Sequence, residues 1–185
     1  MAMPHRRLNP ANQDKSTLLG VKMQDNSFWQ YSLALYSHNA VESLLLTLQD
    51  DYGADVNLLL CCCWLGGLQH ELTVEQCSML VKTTARWRVE CVIPLRSVRR
   101  FLKAQSEFDD FREQVKILEI EAERKQQILL YQQLDLLGLT RANNGGEDCS
   151  AQNLDTYCRV LPGVERSEVA ETVTQLLSVI EAIKC

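Results

Sequence analysis

The sequence predicts an all-α protein, a single-domain helical bundle of about six to eight helices with one long spine helix. Three observations carry this. Apolar residues recur at three- and four-residue intervals in one segment after another, the spacing of one helix face. Side chains that cap helix starts stand just ahead of those segments, and glycine or proline just after them. No segment joins a period-two alternation to hairpin turn chemistry.

Residues 1–25 are polar, carry Pro4 and Pro10, and lack the apolar stretch of a secretory signal, so they read as a mobile tail. Ser27 with Gln30 has the pattern of a capping box and opens a helix to about Ser37. Asn39 with Glu42 repeats it for a second helix, whose stripe is Val41, Leu44, Leu45, Leu48 and Tyr52. Gly53 suits the left-handed residue that ends it. Asp55 caps a third helix, Val56 to Leu65, which is apolar nearly all round except at Asn57. Such a helix belongs in the middle of a bundle. Gly66-Gly67 is expected to stop it.

Thr73 with Gln76 opens a fourth helix reaching about Val92, with Leu80, Thr84, Trp87 and Cys91 inward. Pro94 is expected to break it and to open a short fifth helix. Leu95, Val98 and Leu102 form the apolar stripe there, with Arg96, Arg99, Arg100 and Lys103 in water. The longest element, Glu107 to Leu137, spans about 45 Å if straight. Its inner stripe starts as Phe108, Phe111, Val115, Leu118 and Ala122, and the polar run Glu123 to Gln127 reads as a bend or exposed tip. A flexible loop over 141–153 separates this core domain, 26–140, from C-terminal helices over 154–185 that pack on it. The last helix spaces Val169, Val173, Leu176, Ile180 and Ile183 as a packing face or a short seam for a homo-oligomer.

The bulk numbers narrow the function. With 185 residues the chain can bury a real core, and its net charge of -5 gives no general pull towards nucleic acid. No apolar run is long enough to span a membrane. The eight cysteines include the consecutive Cys61, Cys62 and Cys63, which diverge on a helix and cannot share one ion, and no CxxC pair occurs. They read as packing thiols in a reducing, cytoplasmic setting. No resident cofactor or metal is expected.

Two surfaces could carry function. Asp50, Asp51, Asp55 and Asn57 surround one helix–helix turn, and their oxygens could hold Mg2+ for a phosphorylated or diphosphate substrate. Capping and solvation account for the aspartates more simply. Asn57 is less easily explained, since a carboxamide on a buried helix must find partners. The second surface is basic: residues 82–103 carry +6, while the rest of the chain carries -11. Arg86, Arg96, Arg99, Arg100 and Lys103 there could engage a protein partner, or weakly a nucleic acid. The acidic stretch Glu107 to Glu123 follows at once, so the two helices are expected to compensate each other as an antiparallel pair.

Phe28-Trp29, Ser32, Leu35-Tyr36, Leu48-Gln49-Asp50, Gly53, Asp55 to Leu60 and Trp64-Leu65-Gly66 together resemble an uncharacterised bacterial family known only as a domain of unknown function. The resemblance is concentrated in residues 25–140 and is most specific at DVNLLL and WLG. It implies a cytoplasmic bacterial protein and supplies no activity, cofactor or catalytic residue. Together these readings favour a protein-interaction or accessory module over an enzyme.

Overall fold

The computed structural model describes residues 26–139 and 147–184. The expected tail over 1–25 and residues 141–146 of the expected loop lie outside them. Among the described residues the chain forms α-helices and no strand: α1 (Ser27–Tyr36), α2 (Asn39–Tyr52), α3 (Val56–Gly67), α4 (Val74–Trp87), α5 (Ile93–Leu102), α6 (Asp109–Leu134), α7 (Ser150–Val160) and α8 (Arg166–Lys184). None is long and apolar enough to cross a membrane.

Helix α3 sits in the middle, as its lack of a polar face requires. Nine of its twelve residues are buried, Asn57 and Cys61, Cys62 and Cys63 among them. The three thiols are apolar packing between α-helical neighbours, and burial pushes that of Cys61 well above its ordinary range. On the α1 side, Trp64 stacks between Phe28 and Tyr131 at ring distances of 5.3 and 5.9 Å. On the opposite side α7 lies against α3 and is tied to it by side chains. Ser150 donates to the Cys63 carbonyl (3.0 Å), and Asn153 donates to the carbonyls of Cys62 and His70 while accepting from Leu72 N–H. The apolar face of α8, with Val169, Leu176 and Ile180 buried, packs on α2 and α7.

Several helix ends differ from expectation. The cap of α1 is Asn26, which accepts from Trp29 N–H at 2.8 Å, so Ser27 is the first helical residue. His38 occupies the cap position of α2 without a side-chain bond, and Asn39 is already helical. Both shifts are by one residue; at α1 the adjacent Asn26 and Ser27 are both short polar side chains able to cap. Gly53 is left-handed at φ 67°, Asp55 caps α3, and Thr73 with Gln76 forms the expected reciprocal box. Gly66 does not stop α3. It lies inside the helix because a Cβ there would run into the backbone of Ser150 on α7. The short C-terminal helix starts at Ser150, four residues before the expected Leu154.

Pro94 does not break the chain. Residues Arg88–Val92 form a π turn that joins α4 to α5 with helical backbone throughout, and Ile93 N–H bonds the Arg88 carbonyl five residues back. In an α-helix the proline ring would strike the carbonyl of Glu90, and the wider turn removes that conflict. A π turn takes in one extra residue, so everything beyond it is rotated by about 100°. The inward stripe that begins at Leu80 and Thr84 therefore resumes at Val92, Arg96 and Arg99, not at Cys91, Leu95 and Val98. Val98 and Phe101 are exposed, Phe101 by 68%. The opening of α6 is rotated to match: Val115, Glu119 and Ala122 face in, whereas Phe108, Phe111 and Leu118 are exposed.

Candidate functional site

The polar run in the middle of α6 is not a tip. Gln126 and Gln127 are buried against α3 and start a chain of hydrogen bonds through the core. Gln126 Nε2 donates to Asp55 Oδ2 (2.5 Å), and Asn57 Nδ2 donates to Gln126 Oε1 (3.2 Å). Gln127 Nε2 donates to Asn57 Oδ1 (2.8 Å), and the Ser32 hydroxyl lies 3.1 Å from Gln127 Oε1. Asp55 sets the direction of the whole chain. An ionised carboxylate can only accept, so Gln126 must turn its amide nitrogen to it, and each carboxamide after it is oriented in turn.

Asp55 has further partners. Its Oδ1 accepts from Asn57 N–H (2.9 Å), Arg88 Nε stands 3.4 Å from Oδ2, and its own N–H donates to the Tyr157 hydroxyl of α7 (2.8 Å). Burial raises its carboxyl above the usual carboxylate range, while Arg88, Gln126 and the N–H groups of Asn57 and Leu58 pull it back.

A second cluster joins α5 to α6. Glu119, 4% exposed, accepts from Arg96 Nε at 3.1 Å and from Arg99 through Nε and Nη2. Arg96 Nη2 also reaches Glu123 Oε1 at 2.7 Å. Burial raises the Glu123 carboxyl, with Arg96 opposing. Nearby Tyr36 is pushed up to about 12, first by burial and then by Glu123 and Glu42.

These two clusters meet at a cleft of about 350 Å³ between α1, α2 and α3 on one side and α5 and α6 on the other. Ser32, Asn57 and Gln127 are at its polar wall, Arg96, Arg99 and Glu119 at its charged wall. Trp29, Leu33, Leu46, Val56, Leu60 and Ile120 supply the apolar remainder.

Of the residues singled out from sequence, Asn57 lines this cleft, and Asp55 supports it from below. Asp50 is on the surface, where Gln49 and then Arg100 (2.6 Å) hold its carboxyl below the usual range. Asp51 is exposed. Among the described residues no three His, Cys, Asp or Glu side chains are placed to hold a metal ion. Arg96 and Arg99 point inward, Arg100 meets Asp50, and Arg86 and Lys103 are exposed. Ser32, Arg88, Glu119, Glu123, Gln126, Gln127 and Tyr157 were not singled out. A signal existed for Gln126: it falls four residues after Ala122 and four before Leu130, on the inward side of a helix.

Residues 27–130 match the model of a family described as "Protein of unknown function (DUF2390)". No curated protein and no solved structure matches the chain. Every residue lining the cleft falls within the matched stretch, as does the α5–α6 hairpin up to the last four residues of α6.

Proposed function

The chain belongs to this family of unknown function, whose model spans more than half of its 185 residues, and from that premise we propose that it is a protein-interaction module docking its partner on the outward faces of α5 and α6. One observation carries the reading: this hairpin is charged within and apolar without. Arg96, Arg99 and Glu119 fill its seam, while Val98, Phe101, Phe111, Ile117 and Leu118 stand in water. A buried ion cluster adds little net stability over apolar packing. Large exposed apolar groups mark a surface that another molecule covers. Lys82 and Arg86 on α4 and Lys103 just past α5 are exposed and make no ion pair among the described residues, so the partner is a protein with an apolar face and an acidic rim. A cytoplasmic setting belongs to the same reading, supported by the use of three adjacent cysteines as core packing.

The alternatives draw less support. A Mg2+ enzyme needs Asp50, Asp51 and Asp55 to converge, and they face a surface arginine, water and the core. A nucleic-acid site would have to do without Arg96 and Arg99, which are engaged by Glu119.

The double variant Phe101→Asp/Phe111→Asp alters two exposed positions and should keep the wild-type circular dichroism. Proteins enriched by the wild type in quantitative affinity capture should fall by at least about tenfold with the variant, a change of about 1.4 kcal/mol. Light scattering on both would reveal a second copy of the chain as the partner. Undiminished recovery with the variant, or a monomer that enriches nothing, overturns the reading.

A further inference from the structure

The cleft between α1–α3 and α5–α6 is a separate feature from the outward hairpin face, and it is a built site. Its volume of about 350 Å³ is in the range of small-molecule pockets, which pair mostly apolar walls with a few fixed polar groups. The polar groups here are held rigidly. Asn57 and Gln127 cannot turn their amides without breaking the chain that ends on Asp55. Arg96 and Arg99 are clamped by Glu119 through Nε, and each uses Nη2 on a carboxylate as well. That leaves the Nη1 amino group of each arginine without an acceptor in the protein, and neither is shut away from solvent. Two guanidinium groups with a donor to spare thus line one cleft together with apolar side chains.

The geometry points to a binding site for a small amphiphilic carboxylate, its acid group on the Nη1 donors of Arg96 and Arg99 and its apolar body against Trp29, Leu33, Leu46 and Leu60. Guanidinium is the side-chain group best matched to a carboxylate. The carboxylates already in the cleft do not oppose this. Glu119 and Glu123 are paired with the two arginines, and the charges lining the cleft sum to zero, Glu42, Glu119 and Glu123 against Arg96, Arg99 and Lys116, the last of which also pairs with Glu113.

Three probes with one tail and different heads separate the possibilities: octanoate, octylamine and 1-octanol, each titrated into the full chain by calorimetry. Octanoate should bind at least about tenfold more tightly than the other two. Arg99→Met keeps the apolar stem and leaves Glu119 paired with Arg96; it should remove that preference. Leu33→Trp, at the half-exposed mouth, should weaken all binding and serves if the arginine variant fails to fold. No heat with octanoate overturns the proposal, as does equal or tighter binding of octylamine, or an unchanged affinity in Leu33→Trp.

Discussion

Asn57 gives and receives at once: its Nδ2 serves Gln126, its Oδ1 is served by Gln127, and its backbone N–H is capped by Asp55. Asn57→Ala removes the first two and strands an acceptor and a donor in the core. The expected loss is about 3 kcal/mol, read from the urea midpoint at constant slope. Asp55 permits a second test because burial raises its carboxyl. Between the ordinary carboxylate range and its own higher titration, the folded protein keeps a proton that the unfolded chain has released. Stability from this group is therefore full at low pH and declines as pH rises through that window. Asp55→Asn cannot titrate, so the unfolding free energy of wild type minus that of the variant should decrease with rising pH. An increase would mean that Arg88 outweighs burial and holds the carboxyl low.

At the level of elements, the contact between α3 and α7 has no room to spare. A methyl group on Gly66 would occupy the place of the Ser150 backbone, whose N–H is held by Asp148 in the turn that starts α7 and whose hydroxyl is held by the Cys63 carbonyl of α3. Gly66→Ala gains helix propensity of about 1 kcal/mol, but overpacking costs about 1–3 kcal/mol. The variant should be net destabilised, and hydrogen exchange should quicken first in α7. The same contact shows what the sequence could and could not disclose. Periodicity found α2 and α8, because their inward residues are apolar and local spacing is all such a stripe needs, and α3 was legible from its Asp55 cap and unbroken apolar run. Gly66 looked like a stop signal because the reason for it lies eighty-four residues away. Gln126 and Gln127 looked like part of an exposed tip because their partners come from α1 and α3, and pairing across helices leaves no periodic trace.

On the scale of the molecule, two kinds of interior coexist. The bundle of α1, α2, α3, α7 and α8 is filled with leucine, aromatic rings and thiols. The α5–α6 hairpin is held by arginine and glutamate around a few small apolar contacts, Val92, Leu102, Val115 and Ala122. The amide chain from Ser32 to Asp55 lies where they join, and so does the cleft. Composition showed the opposing charges of α5 and α6 and their mutual compensation. It could not show which side of α5 they occupy, because that depends on one residue's worth of rotation upstream.

That residue is stored in the π turn Arg88–Val92. A chain shorter by one in this stretch could close the turn as ordinary α-helix and still present Arg96 and Arg99 to Glu119, provided Pro94 were also replaced. A chain of the same length that lost the wide turn would instead bring Leu95 and Val98 to the seam and put the arginines into water. Length and register are thus exchangeable here, and a gap placed anywhere else in α4 or α5 when related chains are aligned would pair oily positions with charged ones.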